Sequence, residues 1–304
     1  MVRSAAVAVT AFYADHRRRF KLWALLLMLS LLILLLRDAT PLAGLLPSPA
    51  ALPASSVLVA VFLAALACEY MDSALGMGYG TTLTPLLLIA GFQPLAIVPA
   101  VLFSELLTGL AAGALHQRDG NLDLLHDRQA RQTLALLAAL SGVGAIAAVL
   151  VAVRIPTLWF SLAIVAIVLT MGVLTLATAR RRMRYRASGV LAVGLVAAFN
   201  KGLSGGGYGP LVTAGQVVSG VPARHAVGIT SLAEAVTCFV GLAAYLTLGK
   251  PIDWGLALPL ASGALLSVPL ATATVRRLPE RAIRSAVGLL TLLLGLVSLA
   301  KLLS

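Results

Sequence analysis

The sequence predicts an all-α, multi-pass integral membrane protein made of two related halves, and three observations support this. Hydrophobic residues make up 60% of the 304 residues and charged residues only 11%, whereas a soluble domain carries about 25% charged residues. The hydrophobic residues lie in blocks close to the ~20 residues that span a bilayer as a helix. Two glycine-rich turns of closely similar sequence also recur far apart in the chain.

The formal net charge of +12 does not indicate nucleic-acid binding. The arginines lie in short loops between apolar blocks, which is typical of cytoplasmic loops and not of a basic groove. We therefore expect the partners of this chain to be the lipid bilayer and a small solute, and not nucleic acid.

Eleven apolar segments are separated by polar, proline or glycine residues, and most are long enough to cross a bilayer as helices. Segments 81–91 and 210–219 are too short, because ten or eleven residues at ~1.5 Å each cover about half of the ~30 Å apolar core. Each short segment follows a glycine cluster. The eleven segments are 21–36, 55–75, 81–91, 95–116, 130–152, 156–179, 188–200, 210–219, 223–248, 253–275 and 282–303.

The N-terminus has the layout of a signal sequence. Basic residues between Arg17 and Lys21 precede the apolar run 22–36, as in the first two regions of a signal peptide. Because no small-x-small cleavage site follows and many membrane segments do, we predict an uncleaved signal anchor. The predicted organisation is a signal-anchor helix and outer loop in 1–54, a first transmembrane repeat in 55–183 and a second in 184–304.

An internal repeat relates the two halves at a spacing of 129 residues. This shift superposes Tyr79 on Tyr208 without a gap, and it also superposes Glu105 on Glu234. The match at the glutamates is informative because carboxylates are rare inside apolar segments. Further matches include Thr84 with Thr213 and Thr108 with Thr237.

Arginine counting predicts the topology. The arginine-rich loops 180–186 and 276–284 are expected to be cytoplasmic, with the N-terminus cytoplasmic and the C-terminus periplasmic. On this path segment 95–116 runs inward and its partner 223–248 runs outward, so the halves are inverted. Inverted repeats with glycine-broken short helices are typical of secondary transporters, and a duplicated structural scaffold is the alternative.

The glycine turns are the first candidate for a binding site. Glycine allows a sharp turn inside the membrane, and we expect the following helices to restart with Thr81 as N-cap and with Pro210 at the first helical position. Two helix N-termini would then offer N–H groups and partial positive charge to an anion, unless the glycines serve only close helix packing. The candidate substrate-binding residues of the turns are Gly76, Gly78, Tyr79, Gly80, Thr81, Gly205, Gly206, Gly207, Tyr208 and Gly209.

Charged residues inside the membrane are the second candidate, because they are costly there and often functional. Lys201 lies beside the second turn, and its repeat partner is Asp72. Lys201 would bind an anionic substrate together with Asn200, or it would form a structural ion pair with Asp72 or Glu69.

Glu105 and Glu234 lie in equivalent segments, and each is followed three residues later by a threonine. Residues i and i+3 share a helix face, so each half should direct a Glu/Thr pair toward the centre. The carboxylates would either carry a proton coupled to transport or act as structural braces.

The remaining polar residues predict neither an enzyme nor a metal or cofactor site. The segment containing His116, Asp119, Asp123, His126 and Asp127 is expected to be a solvated cytoplasmic loop. His225 is taken as loop charge, the thiols of Cys68 and Cys238 as buried, and no catalytic-triad, CxxC, HExxH or P-loop pattern occurs.

The segment from Asn200 to Pro210, with its glycine-rich Tyr-Gly turn, and the glutamate in the following long helix resemble the sulfite exporter TauE/SafE family, also called the toluene sulfonate uptake permease family. The resemblance covers about residues 55–304; the first half departs from it at Met77, where glycine would be expected. It implies a bacterial inner-membrane transporter of sulfur-containing or carboxylated anions, such as sulfite, sulfonates or sulfoacetate.

The expected function is secondary transport of a small anion across the bacterial inner membrane, with a homo-oligomer left open. An intramembrane enzyme acting on a lipid or isoprenoid, and an anion channel, are the alternatives.

Overall fold

The computed structural model describes residues 55–178, 187–218, 223–274 and 280–303. Within these ranges the chain forms ten α-helices and no strand. The helices are α1 Ser55–Leu75, α2 Tyr79–Ile89, α3 Pro94–Arg118, α4 Arg128–Ala152, α5 Thr157–Thr178, α6 Ala187–Ser204, α7 Tyr208–Val218, α8 Ala223–Thr247, α9 Trp254–Thr274 and α10 Glu280–Leu303. The predicted signal anchor in 1–54 and the arginine loop 180–186 lie outside the described residues.

The chain divides into two compact units, Met1–Ala60 and Val61–Ser304. The division falls within α1, so the structure describes only residues 55–60 of the first unit. The site and its supporting contacts all belong to the second unit.

Among the described helices, five are long and apolar enough to cross a membrane, which confirms the all-α, multi-pass fold class. Large apolar side chains such as Val143, Phe239 and Leu293 are exposed on the helix surfaces, where a bilayer rather than water is the suitable solvent. The five candidate spans within the described ranges are Ser56–Leu75, Pro94–Arg118, Arg128–Ala152, His225–Thr247 and Trp254–Thr272.

The backbone repeats at the spacing that the sequence predicts. Helix α2 begins at Tyr79 and α7 at Tyr208, and both contain 11 residues. The glycines that precede them have matching left-handed conformations, with φ of 71° at Gly76 and 72° at Gly205. The inverted orientation of the halves in the membrane stays a prediction.

Helix α2 begins two residues before the predicted Thr81, and α7 begins two residues before the predicted Pro210. Each short helix begins four residues after the end of the preceding helix. Gly78, with φ of 132°, is the N-cap of α2, and Thr81 instead donates from Oγ1 to the Gly78 carbonyl oxygen at 3.3 Å. The prediction of Thr81 as N-cap is therefore wrong, because the glycine conformation turns the chain earlier. Pro210 is the third residue of α7 and not the first, so its predicted position is wrong. It still lies in the first turn, where a backbone N–H would have no partner within the helix.

Each half contributes a long helix that packs against a helix of the other half. Helix α3 packs against α9, and its repeat equivalent α8 packs against α4. Helices α3 and α8 also pack against each other, and α6 contacts both of them. Their central segments therefore share one buried region, in which the charged candidates meet.

Candidate functional site

The two glycine turns lie against each other. A Cβ atom added to Gly80 would overlap the carbonyl oxygen of Gly205, and one added to Gly209 would overlap the carbonyl oxygen of Gly76. Glycine at 80 and 209 thus permits a backbone-to-backbone contact that no other residue would allow. The close packing that was the alternative interpretation of the glycines is therefore present at both turns. The anion-binding role of the two helix starts stays a prediction.

A reciprocal pair of hydrogen bonds joins the turns. Thr84 Oγ1 donates to the Ser204 carbonyl oxygen at 2.9 Å, and Thr213 Oγ1 donates to the Gly76 carbonyl oxygen at 3.0 Å. Each threonine satisfies a carbonyl group at the end of the helix that precedes the other half's turn. The repeat had matched the two threonines, but their role became visible only from the fold.

The turn tyrosines are buried, and their hydroxyl groups have protein partners. Tyr79 Oη lies 2.7 Å from Ser104 Oγ, and Tyr208 Oη lies 3.3 Å from Ser141 Oγ. Ser141 also accepts a hydrogen bond from Thr237 at 2.6 Å. These contacts hold the first residue of each short helix in place, and sequence reasoning did not find the two serines.

The start of α2 has a carboxylate acceptor. Asp72 Oδ1 accepts a hydrogen bond from the Tyr79 backbone N–H at 3.3 Å, and a carboxylate at this place offsets the positive end of the helix dipole. The repeat equivalent of Asp72 is Lys201, whose ammonium group cannot accept a hydrogen bond. That position therefore supplies no acceptor to the start of α7.

Lys201 is fully buried and lies between two carboxylates. Its Nζ contacts Glu105 Oε2 and lies 2.7 Å from Glu234 Oε1. The predicted ion pair with Asp72 or Glu69 is therefore wrong in its partners: α6 packs against α3 and α8, so the lysine extends toward the glutamates of those helices. The repeat-related glutamates converge on one ammonium group.

The predicted inward face of the Glu/Thr pairs is confirmed, since Glu105, Thr108, Glu234 and Thr237 are all buried. Neither threonine forms a hydrogen bond with the glutamate three residues before it. Thr108 donates to Glu69 Oε2 at 3.1 Å, and Thr237 donates to Ser141. The other Glu69 oxygen accepts a hydrogen bond from Ser73 at 2.6 Å.

Asn200 and Lys201 leave α6 in different directions, because successive residues on a helix are about 100° apart. A Cβ atom added to Gly207 would lie 3.4 Å from the Asn200 Cβ and 3.2 Å from the Met171 Cγ. Asn200 thus lies beside the second turn, whereas Lys201 faces the two glutamates.

A buried group of five ionisable side chains, which we name the central charge cluster, surrounds this region. Asp72 is close enough to Lys201 and Glu234 for electrostatic interaction, and Glu69 to Asp72 and Glu105. The cluster contains four acids and one base. Its members are Glu69, Asp72, Glu105, Lys201 and Glu234.

The site is closed in this conformation. All the predicted turn residues, Asn200 and every member of the central charge cluster are buried. Lys201 is the only buried lysine or arginine in the part of the chain whose side chains are described. Within the described ranges, no three His, Cys, Asp or Glu side chains are arranged so that they could hold a metal ion together.

The segment predicted to be a solvated loop is only partly so. His116 belongs to α3 and is buried, with Nε2 3.0 Å from the Ser73 carbonyl oxygen, so its predicted solvation is wrong. Asp127 caps α4 by accepting from the Gln129 and Ala130 N–H groups. Asp123 is partly exposed, and hydrogen bonding from the backbone N–H of His126 lowers the pKa of its carboxyl group.

Gln216 is a buried polar residue that no sequence pattern had marked, and its equivalent in the first half is apolar. Gln216 on α7 corresponds to Leu87 on α2. It is buried and donates from Nε2 to Thr230 Oγ1 at 2.8 Å, and among the described residues its Oε1 has no hydrogen-bond partner.

The family model described as "Sulfite exporter TauE/SafE" matches residues 60–298. The chain belongs to the TauE/SafE family. It is also similar to a curated protein of Bacillus subtilis (strain 168), named "Probable membrane transporter protein YtnM", with 25% identity over 232 residues that cover 72% of this chain and 75% of the relative. No solved structure matches the chain.

Membership of the TauE/SafE family confirms the family resemblance, and it supports a transport role for the multi-pass helical fold. The matched region includes both glycine turns and every member of the central charge cluster.

Proposed function

We propose that this TauE/SafE protein is a secondary transporter that moves a small anion across the bacterial inner membrane. The observation that carries the proposal is the position of Lys201, a buried cation next to the contact between two broken helices. The proposed substrates are sulfur oxyanions, organosulfonates and small carboxylates. These carry their charge on oxygen atoms that accept hydrogen bonds from N–H donors.

The second turn offers the better anion site. The start of α7 has the positive end of a helix dipole, and at position 201 the second half has a lysine where the first half has the capping carboxylate Asp72. Asn200 lies beside Gly207 and can donate from its amide without adding a charge. An anion at this turn would also be attracted by the ammonium group of Lys201.

Alternating access follows from the closed site and the contact between the halves. A solute can reach buried donors only after the halves move relative to each other. The Thr84–Ser204 and Thr213–Gly76 hydrogen bonds hold the turns together in the closed state. In the proposed orientation the N-terminus is cytoplasmic and the C-terminus periplasmic.

Transport in proteoliposomes tests the proposal. The purified protein should take up a labelled alkanesulfonate, sulfite or thiosulfate saturably and exchange internal for external anion. Flux without saturation or exchange would favour a channel. Chemical turnover of lipid in detergent, with no anion transport, would favour an intramembrane enzyme and contradict the proposal.

A further inference from the structure

We propose that the transported anion competes with the Glu105 carboxylate for the Lys201 ammonium group, so that each bound anion brings one proton onto Glu105. This inference rests on the proposed function and specifies how the same site is coupled. The protein would then be a proton–anion cotransporter, and carriage of a monoanion would be electroneutral.

Charge balance limits how an anion can enter the central charge cluster. Four carboxylates and one ammonium group are buried together in the central charge cluster. An isolated buried charge is strongly unfavourable, and a carboxyl group without a counter-ion takes up a proton instead. One carboxylate is enough to neutralise Lys201, so an added anion replaces a carboxylate and does not join it.

Glu105 is the carboxylate that the anion replaces. Glu69 accepts hydrogen bonds from two hydroxyl groups, and Asp72 accepts one from the Tyr79 N–H. Glu105 has Lys201 as its ion-pair partner, and no hydrogen-bond donor for its Oε1 occurs among the described residues. When an anion engages Lys201, Glu105 therefore keeps the least support for a negative charge.

Other ionisable groups surround the pair of Glu105 and Lys201. Helix α1 contributes Cys68, Glu69 and Asp72, α2 contributes Tyr79, α7 contributes Tyr208, and α8 contributes Glu234 and Cys238. The tyrosine hydroxyl groups already have serine partners. Glu234 is the one other carboxylate paired with Lys201 among the described residues, and it can keep its contact while Glu105 is released.

The proposed exchange is balanced in atoms and charge. The ion pair between Glu105 and Lys201 separates, one proton from solution binds a Glu105 carboxylate oxygen, and the anion pairs with the same ammonium group. No covalent bond other than the new O–H bond forms, and the net charge of the site is unchanged for a monoanion.

Anion binding measured against pH is the direct test, with an alkanesulfonate as the probe because it does not itself titrate near neutral pH. For a linkage of one proton, the Kd should rise about tenfold for each unit of increasing pH. Calorimetry in two buffers of different ionisation enthalpy should report uptake of one proton for each bound anion.

Glu105→Gln supplies a neutral side chain of similar shape and should bind the sulfonate with a Kd that no longer follows pH. Glu234→Gln should retain most of the pH dependence. Asp123→Asn removes a carboxylate at the exposed loop and serves as the matched control, with an unchanged pH profile. The wild-type measurement decides the question even if a cluster variant fails to fold.

The outcomes separate the two proposals. Sulfonate binding with no proton uptake would overturn the coupling and leave anion transport in place. Absence of binding and transport for sulfonate, sulfite and thiosulfate would overturn the proposed function, and the coupling with it. Anion uptake that is driven by a membrane potential, and not by an inward proton gradient, would also overturn electroneutral cotransport.

Discussion

The two glycine turns share one backbone but have different electrostatic surroundings. In the first, Asp72 binds the N–H at the start of the short helix α2. In the second, Lys201 occupies the same repeat position and pairs with Glu105 of the first half and Glu234 of the second. The comparison indicates that the first turn is internally neutralised and braced, while the second combines a helix start with a positive side chain. We expect the anion to bind on the second side.

The largest effect should follow loss of the lysine. Lys201→Met leaves two buried carboxylates without their cation, and breaking such a pair costs about 3–5 kcal/mol. Thermal unfolding of the purified protein should show this loss, and added sulfonate should no longer raise the unfolding temperature. Adding Glu105→Gln and Glu234→Gln should recover stability without recovering the response to sulfonate. An undiminished response in Lys201→Met would remove the lysine from the site.

The contact between the turns should be the next most sensitive feature. Gly209→Ala would place a Cβ atom against the Gly76 carbonyl group, and overpacking of this kind costs about 1–3 kcal/mol. Gly142→Ala is the matched control, because its added Cβ atom would have no neighbour within 4 Å. We expect thermal unfolding to be lowered in the first variant only. Equal behaviour of the two variants would mean that the turns are not in tight contact.

A smaller effect should come from removing the hydrogen bond between Asp72 and the Tyr79 N–H at the first turn. Asp72→Ala removes the acceptor of the Tyr79 N–H and should cost about 1 kcal/mol, as other N-terminal caps do. Asp72→Asn retains an acceptor oxygen and should cost less. Thermal denaturation of the two variants in the same detergent would compare them. An equal loss in the two variants would show that the charge, and not the hydrogen bond, matters at this position.

The smallest effect concerns the exposed loop of the first half. The pKa of Asp123 is lowered by the backbone N–H of His126, so its ionised form favours the folded state. This contribution is present above the unfolded pKa of about 3.9 and is lost as pH falls through the lower folded value. Unfolding temperatures measured downward from pH 5 should therefore fall slightly more for the wild type than for Asp123→Asn. Parallel curves would contradict the contribution.

Much of the site could be predicted from local sequence features. The 129-residue repeat located both turns, and the rarity of carboxylates in apolar segments marked Glu105 and Glu234. The partners of Lys201 could not be predicted, because a lysine side chain reaches across to whichever helices pack beside it. His116 was misassigned because a residue at the end of an apolar segment can lie in a loop or inside a helix, and only packing against α1 decides between them.

The sequence by itself determined the membrane class, the helical fold, the two broken helices and the pairing of equivalent glutamates, since hydrophobicity, glycine conformation and internal repetition are properties of the chain alone. The tertiary structure decided which groups meet: the backbone contact between the turns, the Thr84 and Thr213 hydrogen bonds, and the convergence of two carboxylates on one ammonium group. Apart from the ion pair between Lys201 and Glu234, which both belong to the second half, these contacts join residues from different halves. Their formation depends on the direction in which each helix presents its side chains.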